Sequence, residues 1–132
     1  MPAFLVAMTP HARTAFGAPE GELTVFPFRV GRESRDEAPS KAMRDLRSAK
    51  NPPNNELYLI DAKEMMNVSR EHFQIVRDGD GYALEDRGSS LGTLVEGEKV
   101  GGGESKRVVL KDGDVIIPGS SHSPHVFKFR IR

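Results

Sequence analysis

"VFKFRIR", residues 126–132, alternates without a break: Phe127, Phe129 and Ile131 are separated by Lys128, Arg130 and Arg132. A period of two places the apolar residues on one face, the pattern of a strand with one buried side. Working back along the chain, "HFQIVR" and "YALED" flank Asp78-Gly79-Asp80-Gly81, which predicts two strands joined by a short hairpin, with Phe73 and Ile75 on one face and Tyr82 and Leu84 on one face. "TLVEGEKV" repeats this logic at Glu96-Gly97, and "VVLKDGDVIIPG" at Asp112-Gly113. Earlier still stand "FLVAM", "ELYLI" and "ELTVFPFRV", where Pro27 predicts an edge strand or a bulge. Thirteen glycines and nine prolines punctuate these runs, which favours strands and turns over a helical bundle. The expected fold is all-β, a two-sheet sandwich of about 9–11 strands.

The chain has 132 residues, room for one domain over 1–132. There is no cysteine, so the core alone must hold the fold. Formal net charge is +0, and no membrane-length apolar run or basic leader precedes "FLVAM". The expectation is a soluble, cytoplasmic protein with neither nucleic acid nor membrane as partner. One stretch breaks the strand pattern, an insertion at about 34–54. Within it "SKAMRDLRSAK" carries Lys41, Arg44, Arg47 and Lys50 against the single acid Asp45 and ends at "NPPNN". It reads as a short helix with Ser40 as N-cap or as a disordered segment.

"FRVGRE", "VSREHFQI", "EDRGSSLGT" and "LKDGDVIIPG", in that order between strands, resemble the forkhead-associated (FHA) domain. That family is a β-sandwich whose loops at one end recognise phosphothreonine in a partner protein. The resemblance implies that Arg32, after Gly31, grips the phosphate, that Ser69 and Ser90 offer it hydroxyls, and that Arg70 faces the ligand. It implies structural parts for Gly31, His72, Gly92 and Thr93 within the binding loops. Leu91 departs from the pattern, because the family commonly has an asparagine there that bonds the main chain of the bound peptide. Leucine neither donates nor accepts such a bond. The loop Gly119–His125 is expected, by the same resemblance, to contact peptide residues beyond the phosphothreonine.

The residue types suit the task. A phosphothreonine brings about −1.5 to −2 charges and three strong acceptors, so its receptor needs fixed positive charge and donors but no chemistry. Arginine supplies a planar fork and serine a rotatable donor. Three bonds to a charged group contribute roughly 5 to 9 kcal/mol before the cost of ordering a peptide, the range of reversible micromolar binding. The expected function is therefore a phosphothreonine-dependent interaction module, a non-enzymatic signalling adaptor without cofactor or metal. Its partner would be a substrate of a Ser/Thr kinase or the kinase itself. Leu91 leaves open a phosphate-independent binding module of the same fold.

A third reading belongs to another class. Gly88, Ser90 and Gly92 spell G-x-S-x-G, and Asp112 or Asp114 and then His122 or His125 follow in the order of a serine hydrolase. A nucleophile elbow needs a helix after the serine, however, and "TLVEGEKVGGGE" is poor in helix formers. "GGGESK" does not satisfy the phosphate-loop pattern of nucleotide-binding proteins, and His122 and His125 have no third ligand at a supporting spacing.

Overall fold

The computed structural model describes residues 1–33, 54–60, 67–103 and 106–132. In chain order the elements are β1 (Ala3–Ala7), α1 (Pro10–Phe16), β2 (Glu20–Leu23), β3 (Phe28–Arg32), β4 (Leu57–Leu59) and β5 (Phe73–Asp78). They continue with β6 (Gly81–Asp86), β7 (Thr93–Val95), β8 (Glu98–Val100), β9 (Arg107–Leu110), β10 (Val115–Pro118) and β11 (Phe127–Ile131). Two sheets result, a six-stranded one ordered β2-β1-β11-β10-β7-β8 and a five-stranded one ordered β4-β3-β5-β6-β9. The chain is thus an all-β sandwich carrying one short helix among the described residues. The expected helical or disordered insertion, with its basic stripe, lies outside the described residues.

The terminal strand forms as its alternation predicts. Phe127 and Phe129 are fully buried while Lys128 and Arg130 stay half-exposed, and the strand pairs antiparallel with β1, Ala3 opposite Ile131. Phe73 and Ile75 of β5, and Tyr82 and Leu84 of β6, enter the core from a hairpin paired from Phe73↔Asp86 to Asp78↔Gly81. A second hairpin joins β7 to β8 around Glu96-Gly97. Buried phenylalanine, leucine and isoleucine side chains contribute roughly 1.5 to 3 kcal/mol each, the main force closing the two sheets.

Two connections differ from expectation. "ELTVFPFRV" is not one strand with an irregular proline: Pro27 sits between β2 and β3, which belong to different sheets. "VVLKDGDVIIPG" is not a hairpin either. Strand β9 pairs with β6 while β10 pairs with β7 and β11, so Asp112-Gly113 carries the chain from one sheet to the other. The Asp114 carboxylate accepts the Lys111 N–H (2.8 Å), and the Gly113 N–H reaches the Phe129 carbonyl (2.7 Å), which fixes that crossing.

Helix α1 was not foreseen, although its punctuation is present. Thr9 caps its first turn by accepting the Ala12 N–H (3.2 Å), Pro10 opens it, and Gly17 closes it in the left-handed region at φ 85°. Seven residues with Ala12 as the buried contact leave no apolar period to read.

Candidate functional site

Strand β3 ends at Gly31-Arg32, and the loop 67–72 wraps over that end. The Arg32 N–H donates to the Ser69 carbonyl (3.0 Å), its Nη1 to the Val68 carbonyl (3.1 Å), and the His72 N–H to the Val30 carbonyl (3.0 Å). The wrap is so close that a β-carbon at Gly31 would stand 1.9 Å from the Arg70 carbonyl oxygen, inside any permitted contact. Position 31 therefore requires glycine. From the other side the Asn55 Nδ2 donates to the same Arg70 carbonyl (2.9 Å).

His72 ties this loop to the next one. Its Nδ1 accepts the Ser69 N–H (3.0 Å), which puts the ring proton on Nε2, and Nε2 donates to the Gly92 carbonyl (2.7 Å). The ring is completely buried, and the neutral tautomer satisfies a main-chain donor on one loop and an acceptor on the other. The Gly119 N–H donates to the same Gly92 carbonyl (2.9 Å), adding a third loop to the junction.

The loop 86–92 is built on Asp86. Its carboxylate accepts the N–H of Gly88 (2.9 Å), the N–H of Ser89 (3.2 Å) and the Ser89 hydroxyl, whose oxygen in turn accepts the Gly92 N–H (3.0 Å). Gly92 turns at φ +77°, and a β-carbon there would lie 2.8 Å from the Val100 carbonyl. At the crest the Ser90 N–H donates to the Ser69 hydroxyl oxygen (3.1 Å). Arg32, Ser69 and Ser90, which lie far apart in the sequence, thus converge. Ser90, Leu91 and the side chain of Arg70 are exposed around them, and Thr93 is buried at the start of β7.

Two contributors have no signal of their own in the sequence. Asn55 is buried, and its Oδ1 accepts the Arg87 Nη1 (2.6 Å) while its amide holds Arg70. Arg87 also donates to the Asn54 carbonyl (3.1 Å) and pairs with Glu71 (3.1 Å). Burial lowers the Arg87 pKa despite the opposing pull of Glu71. Asp86 and Ser89 at i and i+3, before glycines, are the one pattern that could have been read, as a side-chain-stabilised turn. In Gly119–His125 only part of the loop is available to a ligand. His122 is exposed, but His125 is buried with its Nε2 on the Ile60 carbonyl (2.8 Å).

The hydrolase geometry does not assemble around Ser90. The residues after Gly92 form strand β7 where an elbow would need a helix, and the Asp112 carboxylate is engaged by Arg130 Nε (2.9 Å) and the Ile131 N–H (2.8 Å). Among the described residues no group of three or more His, Asp or Glu could hold a metal ion, and no helix is long and apolar enough to cross a membrane.

The FHA domain family model matches residues 28–119, from the first residue of β3 to the glycine that bonds Gly92. The chain belongs to the FHA domain family. Mycobacterium tuberculosis EmbR, solved in complex with a low-affinity phosphopeptide, is similar at 26% identity and a TM-score of 0.61, over 98% of this chain and 24% of EmbR. The chain thus spans about a quarter of EmbR's length. The FHA domain of Chlamydia trachomatis CT664 is 21% identical with a TM-score of 0.63, covering 100% of this chain and 99% of that one. The FhaA FHA domain, solved with the intracellular domain of Rv3910, is 22% identical with a TM-score of 0.56, covering 97% and 99% respectively. No curated protein sequence matches the chain. Against this FHA frame the Gly31-Arg32 strand end and the two serine-bearing loops are the cluster at one end of the sandwich.

Proposed function

We propose that this FHA domain is a phosphothreonine-dependent protein interaction module, with Arg32, Ser69, Arg70 and Ser90 receiving the phosphate. The observation that carries the reading is the 3.1 Å contact between the Ser90 N–H and the Ser69 hydroxyl oxygen, beside the main-chain-anchored Arg32. Accepting that N–H occupies one lone pair of Ser69 and leaves its hydroxyl hydrogen free to donate outward. Two hydroxyls and two guanidinium groups then meet the three phosphate oxygens, while His72, Gly31, Gly92 and Thr93 hold the loops without touching ligand. Binding through donors and charge needs no nucleophile, so the module recognises and does not catalyse. Its partner is a protein phosphorylated by a Ser/Thr kinase, or that kinase itself, met in the cytoplasm in signalling.

Fluorescence anisotropy with a degenerate phosphothreonine peptide library and its unphosphorylated counterpart tests this. The native protein binds only the phosphorylated set, and Arg32→Ala weakens binding about 100-fold, as expected for removing a charged partner from a phosphate. Equal binding of the two peptide sets would sink the function. Undiminished binding by Arg32→Ala would sink the site assignment.

A further inference from the structure

We propose that Leu91 is a specificity-determining residue: it selects phosphothreonine segments that carry an aliphatic side chain one or two residues from the phosphothreonine. This rests on the phosphate-binding function proposed above and names the class of segment that the site takes.

The argument begins with exposure. The large apolar side chains open to solvent among the described residues are Met1, Met8, Val25, Leu91 and Val109, and of these Leu91 alone stands in the loops around Ser69 and Ser90. The residue is 41% exposed, so a partner can cover a substantial apolar area there. The position is also held firmly. Gly92, next in the chain, has its N–H on the Ser89 hydroxyl (3.0 Å) and its carbonyl on both His72 Nε2 (2.7 Å) and the Gly119 N–H (2.9 Å). On the other side the Ser90 N–H is fixed to Ser69 (3.1 Å). A leucine between two anchored peptide groups keeps its place at the crest of the loop, so a partner gains its surface at a small ordering cost.

Reach sets the positions. An extended peptide advances about 3.3 Å per residue. Leu91 is the immediate chain neighbour of Ser90, so a segment whose phosphate meets the Ser90 hydroxyl brings the residues one or two steps along its chain to the leucine. Chemistry sets the type. Leucine offers no hydrogen bond, so a polar or charged side chain pressed against it loses water without replacement, while an aliphatic one gains by burial. The exposed Arg70, by contrast, presents charge and favours no aliphatic neighbour.

The test uses the full chain and phosphothreonine peptides that carry Ile, Ala, Ser or Asp in turn at each of the two positions on either side. Dissociation constants are measured for the native protein, Leu91→Asn and Leu91→Met. At one flanking position the native protein favours Ile over Ser roughly tenfold, the equivalent of about 1.4 kcal/mol. Leu91→Asn, close to leucine in shape but polar, flattens that preference, read as the ratio of the Ile to the Ser constants so that any bond the new amide makes to the main chain of all the peptides alike cancels, and Leu91→Met keeps it. Phosphate-dependent binding with no flanking preference in the native protein overturns this inference and leaves the proposed function standing. A preference that persists in Leu91→Asn assigns selection to another residue and overturns it equally. Failure of every phosphorylated peptide to bind removes the proposed function, and the inference with it.

Discussion

At one end of the sandwich Tyr82 packs against Phe26 (ring centroids 5.5 Å apart) and Phe129 (5.6 Å), Arg77 lies over the Phe26 ring (4.6 Å), and the Tyr82 hydroxyl donates to the Met1 carbonyl (2.6 Å). At the other end His72, Asn55 and Asp86 each bond the main chain of loops 67–72 and 86–92, Asn55 and Asp86 also taking the side chains of Arg87 and Ser89. The aromatic end is held by apolar area. The loop end is held by buried side-chain to main-chain bonds, which fits the anion binding proposed there, because donors kept for an anion cannot be buried under hydrocarbon. With the loop end as the proposed recognition site, the difference predicts that stability and recognition are separable along the strand direction, and that the loop end is the place where one substitution harms both.

Phe129→Ala probes the aromatic end and has the largest expected effect on stability, a loss of about 3 to 5 kcal/mol for a fully buried phenylalanine. The urea midpoint reports it, while phosphothreonine-peptide affinity of the folded protein stays within about twofold, as for distant sites. A tenfold loss of affinity would break the separation. His72→Ala acts at the other end and leaves the Ser69 N–H without its acceptor, which costs about 2 to 3 kcal/mol. Here the urea midpoint and peptide affinity fall together, affinity by roughly tenfold or more, since the loops lose their common tie.

The smallest effect belongs to the edge between the ends, where Glu56 accepts the Arg29 N–H (2.8 Å), Nε (2.8 Å) and Nη2 (2.5 Å). Burial on its own would raise the Glu56 pKa, but the hydrogen bonds and charge of Arg29 outweigh it and hold the carboxyl below its ordinary value of 4.5. A lowered folded pKa means stability that is fully present above the ordinary value and is lost as the pH falls through the folded one. Glu56→Gln is therefore less stable by about 0.5 to 1 kcal/mol at neutral pH, since both side chains keep some solvent contact. The gap to the native protein narrows in urea titrations as the pH drops below 4.5. A gap that stays constant down to strongly acid pH would show that packing, and not charge, carries the pair.

The legible parts of the fold were those written locally. The β5–β6 and β7–β8 hairpins and strand β11 followed from alternation and turn residues within a dozen positions. A strand-turn-strand reads the same, however, whether the chain doubles back or changes sheet, so the crossings at Pro27 and at Asp112-Gly113 were invisible. The candidate site shows the same division. Arg32, Ser69 and Ser90 were nameable because short motifs surround them. Asn55 and Arg87 were not, because Asn55 acts on Arg70 and Arg87 on Asn55, partners that only the folded topology brings near.

The pairing of the first strand with the last has a further consequence. Ala3 faces Ile131, and the Arg132 N–H donates to the Pro2 carbonyl (3.0 Å), at the pole where Tyr82 lies and away from Ser69 and Ser90. Any polypeptide joined to either terminus leaves from that pole, so a tether or fusion tag attached there does not cross the mouth of the loops. For a phosphorylated segment on such a tether, linker length and stiffness set the effective concentration at the loops, and shielding by the attachment does not.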